Sequence, residues 1–146
     1  MVSEKKYLPY GRQDVDEEDI FSVSDVLRSD FLTSGPASLA FEAKLSEVVG
    51  AKFSICCSSG TAALHLAVQA LGLKTGDKVV VPTITFLATA NAVRYVGADV
   101  IFADVQPETG LMCVDRLEEV IDKTDGKIAA VVPVHLGGQS PNLKEI

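Results

Sequence analysis

From Gly50 onward, short runs of apolar, β-branched residues alternate with longer stretches whose apolar positions recur every three or four residues. The runs predict strands over residues 53–57, 78–81, 99–103 and 127–134, and the stretches between them predict helices over 61–71, 85–96 and 114–121. Each helix is long enough to cross over between parallel strands. KVVVP and IAAVVPV are apolar without clean alternation, the pattern of strands covered on both faces. Gly72 and Gly97 fall where a helix ends in the left-handed conformation, and Gly76-Asp77 marks a turn into the next strand. The expected fold class is therefore α/β, a three-layer α/β/α sandwich with a mostly parallel sheet.

The first fifty residues carry two helical stretches and no strand. Asp14 and Glu17 have the spacing of a capping box, and Ile20, Val23 and Leu27 follow at helical spacing, predicting an amphipathic helix over 16–28. Ser34-Gly35-Pro36 reads as a break with Pro36 in the first turn of a second helix, whose buried face would include Phe41, Leu45 and Val48. At the other end, residues 137–141 read as a loop leading into a further helix. A parallel sheet ending after its fourth strand would leave an unpaired edge, so the chain is expected to be a piece of a longer protein.

Composition narrows the function classes. Apolar residues make up 47% and charged residues 23%, which is globular, and no run approaches the ~20 apolar residues of a membrane helix. The N-terminal lysines are not followed by an apolar run, so a cytoplasmic location without membrane attachment is expected. Net charge is −7 and the cations are scattered, which argues against nucleic acid as a partner. A small phosphorylated ligand remains compatible, because backbone amides at a helix start can hold phosphate. Cys56, Cys57 and Cys113 lack metal-ligand spacing, no metal site is expected, and they read as reduced, mostly buried small hydrophobes.

Ser58-Ser59-Gly60-Thr61-Ala62-Ala63-Leu64 lies between a predicted strand and a predicted helix. Gly60 would allow a tight turn, and the N–H groups of Gly60, Thr61 and Ala62, with the hydroxyls of Ser59 and Thr61, could hold a phosphate. Equally, a serine there can simply cap the helix. Phe86 follows the end of the next strand, where parallel sheets gather their ligands, and reads either as a stacking ring for a flat cofactor or as an ordinary core aromatic. His135 ends a strand and reads as structural, orienting a loop or bonding a backbone carbonyl, or as a general base. His65 reads as packed within its helix. The acidic run from Asp16 to Asp19 reads as favourable charge at a helix N-terminus.

These pieces stand in a specific order. Leu8-Pro9-Tyr10, Leu32-Thr33-Ser34-Gly35-Pro36, Phe41-Glu42, Ser59-Gly60-Thr61-Ala62-Ala63-Leu64, Gly76-Asp77, Thr85-Phe86 with Ala88-Thr89, Asp104-Val105, and Val134-His135-Leu136 with Gly138 together resemble the opening of the DegT/StrS sugar aminotransferases. The resemblance implies the large domain of a fold-type I enzyme dependent on pyridoxal 5'-phosphate. It implies that Ser59, Gly60, Thr61 and Ala62 hold the cofactor's phosphate and that Phe86 stacks on its ring. It places Tyr10, Asp30, Phe31, Leu32 and Thr33 near a nucleotide-sugar substrate, and suggests residues 1–35 as a substrate-side arm and 36–146 as the start of the cofactor-binding domain.

The same resemblance implies a homodimer, an amino-acid donor such as glutamate, and a role in polysaccharide, lipopolysaccharide or antibiotic sugar synthesis. It also implies a Schiff-base lysine and an acid pairing with the pyridinium nitrogen, both expected beyond Ile146. No catalytic residue is expected within this chain, and the stretch alone is expected to be inactive. A sugar dehydratase of the same fold, which carries a histidine at the lysine position, and a non-catalytic homologue stay open as alternatives.

Overall fold

The computed structural model describes Pro9 and residues 11–146, which divide into two compact units, one running to Cys56 and the other Cys57–Ile146. Tyr10 lies outside the described residues.

The first unit is built on α1 (Glu17–Arg28) and α2 (Pro36–Val49). The cap of α1 is Asp16, whose carboxylate accepts from the N–H groups of Glu18 at 2.9 Å and Asp19 at 3.0 Å, while Asp19 returns the bond to the Asp16 N–H at 3.2 Å. The capping box therefore sits two residues later than Asp14 and Glu17. Two acidic pairs stand three apart, Asp14 with Glu17 and Asp16 with Asp19, and spacing alone cannot choose between them. Pro36 opens α2, and Gly50 closes it at φ 68°, with the Ala51 N–H bonded to the Ser46 carbonyl.

Neither helix buries a residue. Phe41, Leu45 and Val48, expected inside, remain exposed, as do Ile20, Val23 and Leu27. Two helices alone provide no second layer against which an apolar stripe can close. Residues 53–57 form no strand either. Side chains of α2 hold the segment instead, Glu42 accepting from the Cys56 N–H at 2.7 Å and Ser46 bonding Ser54 at 2.9 Å, while Phe53 and Ile55 face out. A β-prone run becomes a strand only where a ladder partner lies beside it.

The second unit contains α3 (Gly60–Ala70), β1 (Lys78–Pro82), α4 (Leu87–Tyr95), β2 (Asp99–Ala103), α5 (Val114–Lys123), β3 (Ile128–Val131) and a short 3-10 turn, Leu136–Gly138. The sheet has order β2-β1-β3 and is parallel throughout, with Lys78 to Pro82 in register with Asp99 to Ala103. Predicted strand 127–134 is shorter than expected, although the Val132 N–H still reaches the Val80 carbonyl at 2.9 Å.

Alternation along β1 divides the core. Val79 and Val81 pack with Val93 of α4 and Ala98, while Val80 packs with Ala103, Met112 and Leu117 of α5. The chain winds from β1 to β2 and then back across β1 to β3, so right-handed crossovers put α4 and α5 on opposite faces. This is the expected α/β sandwich. Cys57 is exposed and Cys113 half-buried, and Cys56 is exposed too, so the cysteines are not the buried hydrophobes anticipated.

Gly72 and Gly97 adopt the left-handed conformation that their positions predict, at φ 73° and 80°. Gly97 is doubly constrained, since a Cβ there would also stand 2.5 Å from the Thr75 hydroxyl. In the full-length protein, Gly97→Ala should lower stability by more than about 1 kcal/mol, seen as a lower urea midpoint. Adding Thr75→Ala should recover only the steric part. Full recovery would mean the positive φ costs nothing.

Candidate functional site

All three strands run in one direction, so the residues that follow them emerge at one edge: Thr83 to Phe86 after β1, Asp104 after β2 and Val132 to His135 after β3. Parallel sheets bind ligands at this edge. Helix α3 packs on α4 and its C-terminal end leads through Gly72 and Gly76 into the start of β1, which turns its N-terminus toward the same edge.

At that N-terminus Ser59 is extended, its hydroxyl accepts from the Ala62 N–H at 3.1 Å, and its carbonyl accepts from the Ala63 N–H at 2.9 Å. Cys57 adds a thiol contact to the same carbonyl at 3.3 Å. The cap thus consumes the Ala62 N–H, which is not available to a ligand as expected. The N–H groups of Gly60 and Thr61 meet no acceptor among the described residues, so the cap leaves two donors of the turn open. Gly60 is helical rather than left-handed, and a Cβ at its position would meet nothing within 4 Å. The tight turn anticipated at Gly60 is not formed, and the space beside its Cα is open.

Phe86 is the residue preceding α4, and its ring is 75% exposed. No layer of apolar side chains among the described residues covers it. Asp30, Phe31, Leu32 and Thr33 form the exposed bend between α1 and α2, in the other unit. Ser29 steadies that bend, its hydroxyl donating to the Val26 carbonyl at 2.8 Å and accepting from the Phe31 N–H at 3.3 Å. Leu32 lies beside Val23, Val26 and Leu27 around a shallow apolar depression.

His135 is exposed at the start of the 3-10 turn, where its backbone carbonyl accepts from Gly138 at 3.1 Å. Its imidazole bonds nothing among the described residues. His65 packs edge-on against Tyr95, ring centres 5.2 Å apart, as a packed residue should.

One pair at this edge escaped the sequence. Pro82 and Ala103 are register partners, so Thr83 and Asp104 emerge side by side, and the Thr83 hydroxyl donates to Asp104 Oδ1 at 3.0 Å. The Val105 N–H donates to the same oxygen at 2.8 Å. That backbone bond, then the Thr83 bond, then the more distant Arg116 charge, hold the Asp104 carboxyl below its ordinary value against a small opposing effect of burial. The available signal was a hydroxyl residue and an acid each following a strand, but pairing them requires the register.

The sequence pattern of the DegT/DnrJ/EryC1/StrS aminotransferase family matches residues 13–146. The chain is 36% identical over 141 residues to the UDP-4-amino-4-deoxy-L-arabinose–oxoglutarate aminotransferase of Shewanella sediminis, covering 97% of this chain and 36% of that protein. It superposes on the putative sugar aminotransferase Spr1654 of Streptococcus pneumoniae, solved in pyridoxal-phosphate (PLP) and pyridoxamine-phosphate (PMP) forms, with a TM-score of 0.85, 34% identity, and coverage of 94% of this chain and 34% of that one. A GDP-4-keto-6-deoxymannose-3-dehydratase superposes with a TM-score of 0.86 at 25% identity, covering 95% and 37%. The chain thus spans about a third of the length of the relatives it matches.

Because the folded Asp104 carboxyl is depressed, the stability it contributes is fully present above the ordinary value of 3.8 and is lost as pH falls through the lowered one. Asp104→Asn should therefore flatten a small part of the acid limb of a thermal-stability profile below about pH 4, small because the carboxyl is exposed to solvent. Glu119, lowered mainly by its bond to Lys123 and by the Arg116 charge, should keep the remainder. An unchanged acid limb in the variant would count against the Asp104 assignment.

Proposed function

This chain belongs to the DegT/DnrJ/EryC1/StrS aminotransferase family, and from that premise we propose that the protein is a pyridoxal-phosphate-dependent aminotransferase acting on a keto-sugar carried on a nucleoside diphosphate. The observation that carries the reading is the start of α3, where two adjacent N–H groups lie open beside a residue without a side chain. A phosphate fits there, because the donors are fixed by the helix and the helix dipole favours an anion.

In this reading Gly60 and Thr61 hold the phosphate through their N–H groups, and the Thr61 hydroxyl adds a donor. Ser59 keeps the turn in shape by capping it, and Ala62 serves the cap. Phe86 supplies an apolar face for the ring, and that face is open to receive it. Asp30, Phe31, Leu32 and Thr33, with Tyr10, form the sugar side. Residues 1–35 act as the substrate arm and 36–146 as the start of the cofactor-binding domain.

When bound, pyridoxal phosphate supplies an electron-accepting ring that carries an amino group between donor and acceptor. The residues of this chain bind and orient it. The lysine that moves protons and the acid that pairs with the pyridinium nitrogen are proposed to lie outside residues 1–146, so no proton transfer is given to His135 or to any lysine here. Glutamate is proposed as the donor in two successive half-reactions, in a cytoplasmic homodimer serving polysaccharide or lipopolysaccharide synthesis. Dehydration of a nucleotide sugar is the second reading, favoured by the likeness to the dehydratase, and a histidine in place of the lysine would select it.

The full-length protein supplied with pyridoxal phosphate should absorb in the visible range, lose that band to borohydride, and aminate a nucleotide keto-sugar when given glutamate. A colourless protein that takes up no cofactor would sink the reading. Thr61→Val should weaken cofactor retention about tenfold, the scale of a hydrogen bond to a charged group. His135→Asn should leave retention nearly unchanged.

A further inference from the structure

The ring of Phe86 is three-quarters exposed, and no stacking or cationic partner among the described residues fixes it. Its direction must come from the backbone beneath it. Only Thr83, Ile84 and Thr85 separate it from the end of β1, and both ends of that short loop are tied by hydroxyls.

At the first end the Thr83 N–H continues the ladder to the Ala103 carbonyl at 2.9 Å, and the Thr83 hydroxyl donates to Asp104 Oδ1 at 3.0 Å. That oxygen is itself fixed by the Val105 N–H at 2.8 Å. At the second end the Thr85 hydroxyl donates to that of Thr89 at 2.8 Å, and the Thr89 N–H donates to the Phe86 carbonyl at 3.0 Å. Thr89 is buried in α4, so this end is set by the core. Beyond the ladder bond, the Thr83 end is held by one side-chain bond to a carboxylate.

We infer that Thr83 and Asp104 are positioning residues for Phe86: the carboxylate at the end of β2 anchors the loop that presents the ring, and acts on the cofactor only through that ring. The inference rests on the reading that this edge holds pyridoxal phosphate. Both residues are exposed, so their bond buries no apolar surface and contributes little to global stability. What it does is restrict a short loop. A hydrogen bond to an ionised acceptor is shorter and stronger than a neutral one. The carboxyl is held below its ordinary range, so the anchor stays charged through neutral pH.

A double-mutant cycle on the full-length protein loaded with pyridoxal phosphate tests this. The rate at which bound cofactor leaves after dilution into cofactor-free buffer, and the visible circular dichroism of the bound cofactor, are read for wild type, Thr83→Val, Thr83→Ser, Phe86→Ala and the Thr83→Val, Phe86→Ala pair. Thr83→Val should speed loss roughly fivefold and shrink the dichroic band, with Thr83→Ser restoring both and the urea midpoint unmoved. In the Phe86→Ala background, Thr83→Val should change the rate by less than about twofold.

An equal factor in both backgrounds would overturn the inference, since it would mean that Thr83 or Asp104 acts on the cofactor directly or through general stability. No effect of Thr83→Val on a wild type that holds its cofactor would overturn it too. Should Thr83→Val fail to fold, Asp104→Asn takes its place in the same cycle. A wild type that binds no cofactor defeats the proposed function, and this inference with it.

Discussion

Val79, Val80 and Val81 lose all their exposure in a strand hydrogen-bonded on both sides, and their alternation sends them into two separate clusters. Each fully buried valine contributes on the order of 1.5–3 kcal/mol of transfer free energy, an upper figure because the unfolded chain is partly compact. Burial of β1 also has a geometric result. Both neighbours run parallel to it, so every strand ends at the same edge, and the polar groups that follow β1 and β2 meet without any long-range search. The Thr83 to Asp104 bond is a direct product of that ladder, one residue beyond its last register pair.

Much of this architecture was legible because it depends on local signals. Gly72, Gly97 and Pro36 mark boundaries through backbone sterics that hold in any context, and the three helices of the second unit follow from periodicity. The errors share a different cause. Residues 53–57 have strand composition, but a strand is a relation between two segments, and Glu42 and Ser46 answer their polar groups instead. The stripes of α1 and α2 have helical period, yet period shows which face would be buried and not whether anything covers it. Asp16 displaced Asp14 as the cap because a run of acids offers more than one pair at the right spacing.

The candidate site divides along the same line. Ser59-Gly60-Thr61 could be located from sequence, since a serine, a glycine and a helix start are adjacent along the chain. How the donors are shared could not, because the Ser59 hydroxyl has one bond to give shape to the turn and takes the Ala62 N–H for it. Phe86 is ambiguous from sequence, for a phenylalanine after a strand has the same composition whether it points into a core or away from one, and in this chain it is exposed. Asp104 stood in a motif without a role, and its role required knowing which residue stands beside it.

If the turn at the start of α3 holds an anion, as proposed, its doing so in a chain of net charge −7 is a question of distance. Exposed carboxylates more than about 8 Å away are screened at physiological salt, whereas backbone N–H groups act at hydrogen-bond range, and a helix start carries roughly half a positive charge there. Some of the acids are occupied as well: Asp104 accepts from Thr83 and Val105, and Glu119 is paired with Arg116 and Lys123. What then limits the turn is access, not charge. Gly60 has ordinary helical backbone, so any residue could take its conformation. A larger side chain there would extend into the open space through which an anion reaches the Gly60 and Thr61 amides. On the proposed reading, glycine at that position answers to what approaches from outside, a constraint that neither helix propensity nor packing within the chain expresses.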